Sequence, residues 1–209
     1  MAPGYHHRGI DKLFEIAART PIRVGVDRFV FVRHGETDGN KNKIFQRSDQ
    51  PLNAAGLAQA EAARVILASE RIAAIKASSM DRAFVTASII GKPHGLAPSP
   101  VDDLRERWFG DLVGTPAGGY DWTNAPPNGE TLATFVTRTQ RGLAASLASH
   151  DDTAIVAHGG TLYVIGPSLG IEIAPEHYAN ATPLRFERAG GSWRVTALGS
   201  SGGKVSAVT

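Results

Sequence analysis

"RFVFVRHGETDGN", residues 28–40, drives an apolar run straight into an arginine, a histidine and a glycine. Phe29 to Val32 is continuously apolar, which is the pattern of a strand buried on both faces, as in a parallel sheet. The expected strand, Phe29–Arg33, therefore delivers His34 to its carboxyl end, with Gly35 free to turn the chain. Neutral imidazole is a competent nucleophile once a hydrogen bond fixes its tautomer. Arg33 presents a planar fork of donors suited to phosphoryl oxygens.

Outward from this stretch, strands and helices alternate. Ile10, Leu13, Phe14 and Ala17 recur at helical spacing before Pro21, which predicts a short amphipathic helix in an N-terminal extension, 1–27. Packing of that helix on its own domain is the reading preferred over a homodimer contact. Asn53 caps an expected helix at 54–69 whose buried face carries Leu57, Ala60, Ala63 and Leu67. A strand is expected at 72–78, followed by a helix at 80–90 capped by Ser79. Residues 93–129 read as loop with a short strand at 97–101. A long amphipathic helix is expected over about 131–149, with Leu132, Phe135, Val136, Thr139, Leu143 and Leu147 in one stripe. "TAIVAHGGT" (153–161) is a second apolar strand ending in histidine and glycine, and Pro183–Arg188 with Trp193–Leu198 reads as a terminal hairpin. The alternation predicts an α/β domain over 28–199, its mostly parallel sheet covered by helices on both faces, with a flexible Ser/Gly-rich tail at 200–209. In such folds ligands bind beyond the carboxyl ends of the strands.

Composition sets the outer bounds. The 209 residues, 42% of them hydrophobic, are enough for one domain with a sizeable core. A net charge of +2 does not call for nucleic acid as a partner. With no cysteine, a disulfide, a thiolate nucleophile and a Cys-based metal site are all excluded. No apolar run has membrane-spanning length and residues 1–20 do not read as a signal peptide, so the expected setting is cytoplasmic.

Repetition makes the first histidine informative. His158 closes a second strand and is followed by Gly159 and Gly160, which let backbone N–H groups approach an anion. Arg82 follows a third strand by one turn, within "SSMDRAFVTA" (78–87). Cations gathered at one rim repel one another, and an anionic ligand relieves that repulsion. A phosphoryl group is the natural candidate.

The chain resembles the histidine phosphatase superfamily, the phosphoglycerate mutase-like family. The resemblance rests on six segments in the family's order: "VRHGETDGN" (32–40), "PLNAAGLAQA" (51–60), "SSMDRAFVTA" (78–87), "LRERWFGDLVG" (104–114), "PPNGETLATFVTR" (126–138) and "VAHGGTL" (156–162). It implies a three-layer phosphoglycerate mutase-like sandwich and a metal-independent phosphomonoesterase without cofactor. It implies His34 as the residue that becomes phosphohistidine, and Glu106 as general acid and then base. Arg33, Arg82, His158 and Gly159 are implied in the phosphate pocket, with an amide contact from Asn40.

Within the resemblance there are departures. "FQRSDQPL" (45–52) is one position shorter than in many relatives and lacks a glycine, which places Arg47 at the expected pocket mouth. Val113 replaces a common acidic residue. The loops 41–50 and 111–127 carry Lys41, Lys43, Arg47, Tyr120 and Trp122, so Arg47, Tyr120 and Trp122 are candidates for contacting the rest of a small phosphorylated substrate. Asp102, Asp103 and Asp111 are alternative acids flanking Glu106. His6 and His7 are poorly placed to share a metal, and His94, His150 and His177 read as surface residues. The sequon Asn180-Ala-Thr182 carries no expectation. Two other functions stand beside the phosphatase: a cofactor-dependent phosphoglycerate mutase, and a catalytically silent phospholigand- or protein-binding module. Only Thr115 to Pro127 separate "FGDLVG" from "NGET", too little chain to shield a phosphoenzyme as mutases of the family do, which favours hydrolysis.

Overall fold

Phe29, Val30, Phe31 and Val32 are all buried, and they form the middle of a six-stranded sheet. The strands are β1 (Arg28–Arg33), β2 (Ala74–Ser78), β3 (Ser99–Val101), β4 (Thr153–Ala157), β5 (Pro183–Ala189) and β6 (Ser192–Ala197), in the order β3-β2-β4-β1-β5-β6. This computed structural model describes residues 8–148 and 151–199; His6, His7, His150 and the tail expected at 200–209 lie outside the described residues. β3, β2, β4 and β1 run parallel, while β5 and β6 add an antiparallel edge. The hairpin expected at the end of the domain is β5–β6, turned at Gly190 and Gly191, both of positive φ.

Alternation along the strands builds two cores. Phe29 and Phe31 face one side with Ile155, Ala157, Leu184 and Phe186, and Phe29 stacks on Phe186 at 4.7 Å. Over them pack α1 (Ile10–Arg19), α5 (Leu132–Ser146) and α6 (Gly159–Leu169). Val30 and Val32 face the other side with Ala154 and Val156, beneath α3 (Ala54–Leu67) and α4 (Asp81–Gly91). The result is the expected three-layer sandwich. Each fully buried aromatic contributes about 1.5–3 kcal/mol of burial free energy, so the two-sided core is what fixes the strand register.

The helices follow their sequence signals, with corrections. Asn53 caps α3 by accepting the Gly56 N–H at 2.8 Å, and Thr131 caps α5 by accepting the Thr134 N–H at 3.1 Å. All six residues of the expected α5 stripe are buried. Leu57 is not on the buried face of α3: it is 45% exposed, and the buried residues are Gly56, Ala60, Ala63 and Leu67. Gly56 takes the inner position because its backbone abuts Gly35 and Glu36, where a Cβ would overlap the Glu36 carbonyl. Ser79 does not cap α4; Met80 holds that position, and the Ser79 hydroxyl donates to Asp102 Oδ1 at 2.5 Å. The second strand starts at Ala74 rather than 72, and the third at Ser99 rather than 97. Two helices were not anticipated, α2 (Asp38–Lys41) and α6. α1 lies against α6 and α5, with Ile10, Leu13 and Ala17 inside the larger core.

Candidate active site

Register explains why the histidines meet. β1 and β4 are adjacent and parallel with Arg33 opposite Ala157, so His34 and His158 leave neighbouring strands at the same level. The His34 N–H donates to the Ala157 carbonyl at 3.0 Å, and the two rings stand edge to face with centroids 5.1 Å apart. β2 flanks β4 and leads into the first turn of α4, which carries Arg82. The chain leaving β3 carries Glu106 to the same rim. Four parallel strands thus each deliver one part of the site. The segment before β5 closes it: the Tyr178 carbonyl accepts from Arg33 at 2.5 Å, and Asn180 Nδ2 donates to the His34 carbonyl at 2.8 Å.

His34 is 3% exposed and held from both sides. Its Nδ1 lies 2.7 Å from the Gly35 carbonyl, and Arg82 Nε donates to its Nε2 at 3.3 Å. A carbonyl only accepts and a guanidinium only donates, so Nδ1 carries the proton and Nε2 keeps its lone pair. Burial, then the nearby Arg82 and Arg33 charges, push the His34 pKa well below the usual histidine value. The ring is therefore neutral at physiological pH.

Arg82, 2% exposed, also donates to the Arg47 carbonyl at 3.0 Å, and burial pulls its pKa down to about 10, still cationic near neutrality. His158 is fully buried behind His34 and does not itself line the cavity. Its Nε2 pairs with Ser78 Oγ at 2.8 Å, while its Nδ1 has no hydrogen-bond partner among the described residues, nor has the buried Nε of Arg33. Burial and the Arg82 charge lower the His158 pKa well below its usual value.

Glu106 is the one carboxylate among the described residues that line the cavity. One oxygen accepts the Arg107 N–H at 2.9 Å and the other the Gly160 N–H at 3.1 Å, at the amino end of α6, where backbone donors favour negative charge. Its loop is tied to α5 by Arg138, which donates to the carbonyls of Asp103 and Arg105 and pairs with Glu130 at 2.8 Å. Burial raises the Glu130 pKa, but Arg138 and the Trp108 N–H outweigh it and hold the group below the ordinary carboxylate range. The three alternative acids are elsewhere: Asp102 takes Ser79, Asp103 pairs with Arg141, and Asp111 accepts from Asn128.

The remaining candidates divide. Asn40 and Gly159 line the cavity, Asn40 with its carboxamide oxygen accepting from Thr37 and 3.5 Å from Asn180 Nδ2. Trp122 lines it too, 6% exposed. Tyr120 stands one layer behind, edge-on to Phe45 and Phe109, with its hydroxyl on the Asn124 carbonyl. Arg47 does not reach the cavity with its side chain, which is 73% exposed and paired with Asp49; its contribution is the carbonyl that holds Arg82. Residues not anticipated include Ser78, Arg107, Glu130, Arg138 and Asn180. Ser78, Arg107, Glu130 and Arg138 lie inside motifs already singled out, whereas Asn180 offered only its sequon.

Comparison with known proteins identifies relatives of this chain. Residues 29–200 match the model of the histidine phosphatase superfamily (branch 1). An "agropine synthesis reductase" of Rhizobium rhizogenes is 33% identical over 193 residues, 85% of this chain and 43% of that protein. The chain thus spans about two fifths of the first curated relatives it matches, 43% of one and 41% of another. The "uncharacterized phosphatase PhoE" of Bacillus subtilis is 32% identical over 173 residues, 78% of this chain and 90% of its own. Among solved structures, a mycobacterial glucosyl-3-phosphoglycerate phosphatase in complex with VO3 superposes with a TM-score of 0.66 at 26% identity, covering 82% of this chain and 97% of its own.

Proposed function

We propose that this chain, which belongs to the histidine phosphatase superfamily (branch 1), hydrolyses small phosphomonoesters through a phosphohistidine formed on His34. The observation that carries the reading is the fixed tautomer of His34, with a nucleophilic lone pair on Nε2 directed at Arg82.

Phosphoryl transfer asks the protein to hold the charge on the equatorial oxygens and to keep nucleophile and leaving group in line. Arg33 and Arg82 supply the first requirement, helped by the amino end of α6 at Gly159. A dianion among these groups offsets the repulsion that the arginines exert on His158. That draws a proton onto its free Nδ1 and adds a donor from beneath.

His34 Nε2 attacks phosphorus as the ester P–O bond breaks, and Glu106 gives its proton to the departing alcohol oxygen. Water then attacks the phosphohistidine while the Glu106 carboxylate takes a proton from it, and the P–N electrons return to Nε2. Neither step calls for a metal, because fixed cations already surround the group.

The test is hydrolysis of a phosphomonoester panel in excess chelator. Wild-type protein should turn over, and His34→Ala should fall by at least about 10^4-fold while keeping its fold. Near-normal turnover of the variant removes His34 from the mechanism. Rapid phosphoryl return to an added 3-phosphoglycerate acceptor, outpacing hydrolysis, would replace the phosphatase with a mutase.

A further inference from the structure

Beyond the phosphate end, the cavity wall is aromatic. Phe45, Phe109, Trp122, Tyr163, Tyr178 and Met80 line it, with Phe45 stacked on Phe109 at 4.2 Å and Trp122 edge-on to Phe109 at 5.6 Å. The wall is braced from outside. The loop at 43–45 is zipped to 114–117 by backbone hydrogen bonds: Phe45 N–H to the Thr115 carbonyl, Gly114 N–H to Phe45, and Ala117 N–H to Lys43. The rings therefore meet a ligand as a preformed surface.

Among the described residues, a second anionic group finds no uncommitted cation there. Among the described residues lining the cavity, the cations are Arg33, Arg82 and Arg107. Arg33 and Arg82 belong to the phosphoryl end. Arg107 is 2% exposed and gives its hydrogen bonds to the carbonyls of Trp122, Asn124 and Glu130. Its guanidinium lies 5.4 Å from the Phe109 ring centroid and 5.6 Å from that of Trp122. Its charge is spent on stiffening the aromatic wall. The loop cations Lys41, Lys43 and Arg47 are exposed and outside the lining, and Arg47 is neutralised by Asp49. Glu106 lines the same space and offers no positive charge to a carboxylate or second phosphate.

Resting on the phosphatase reading above, we infer that the substrate's alcohol portion is uncharged and carries a flat or apolar body, seated on the Phe45–Phe109–Trp122 wall. The site selects against phosphoglycerate-like and bisphosphate substrates. This assigns Phe45 and Phe109 as specificity-determining residues.

Three primary alkyl esters of similar leaving-group chemistry separate binding from reactivity: 2-phenylethyl phosphate, glycerol 3-phosphate and 3-phosphoglycerate. The kcat/KM for 2-phenylethyl phosphate should exceed that for glycerol 3-phosphate by about tenfold or more, with 3-phosphoglycerate lowest. Phe45→Leu should narrow the first ratio. Equal or better use of 3-phosphoglycerate overturns the inference while leaving the phosphatase intact. Failure to hydrolyse any of the three strikes at the phosphatase instead. A calorimetric comparison then decides the inference without turnover: 2-phenylethylphosphonate should bind about tenfold tighter than 2-carboxyethylphosphonate, and equal affinities reject it.

Discussion

At the scale of single residues, the chemistry rests on proton positions. The Gly35 carbonyl accepts a hydrogen bond from His34 Nδ1 and Arg82 faces Nε2, so in the proposed mechanism Nε2 attacks without prior deprotonation. Glu106 meets backbone N–H groups with both oxygens, which fixes its carboxyl plane, and no other side-chain acid lines the cavity among the described residues. If Glu106 protonates the departing oxygen, its value depends on how poor a leaving group that oxygen is. Glu106→Gln should cost about 10²–10⁴-fold in kcat on an alkyl phosphate and much less on 4-nitrophenyl phosphate, whose phenolate leaves unaided. Equal losses on both substrates would assign the proton to another donor.

At the scale of elements, α6 is as much a part of the site as the strands. Its amino end brings the Gly160 N–H to Glu106, and at Gly160 a Cβ would overlap Glu106 Oε1. The same Cβ would meet Phe135 Cζ at 3.0 Å, a cost set against the about 1 kcal/mol by which alanine is favoured over glycine inside a helix, so Gly160→Ala should still fold. It should displace the carboxylate and lower kcat by about 10²-fold, the cost typical of an ångström-scale misplacement, in a protein that circular dichroism shows to be folded. Unchanged kcat would show that Glu106 does not act from this position. α6 was also the element least legible in the sequence. "GGTLYVIGPSL" is buried on nearly every side, so it shows no amphipathic period, and its glycines and Pro167 read as breakers. α1, α3 and α5 were legible because one face meets the core and the other meets water. Only on α3 did the stripe slip, by one residue from Leu57 to Gly56, because contact with the Glu36 backbone requires a residue without a side chain.

At the scale of the whole molecule, the sheet acts as a jig. The order β3-β2-β4-β1 places the chain exits carrying Glu106, Arg82, His158 and His34 side by side, although these residues span positions 34 to 158 in the sequence. That convergence was readable from strands ending in histidine and from a helix start carrying arginine. The far wall was not, because it depends on loop-to-loop pairing between 43–45 and 114–117, which no local pattern encodes. Arg47 likewise turns outward to Asp49 and leaves only its carbonyl at the site. The account as a whole claims that this geometry passes a phosphoryl group through His34. Rapid acid-free quenching during turnover of a ³²P-labelled phosphomonoester, followed by mapping of the label, tests it most directly. The label should reside on His34 as an acid-labile, base-stable adduct that forms and decays at the rate of hydrolysis; steady hydrolysis with no label on the chain, or with label on another residue, would contradict it.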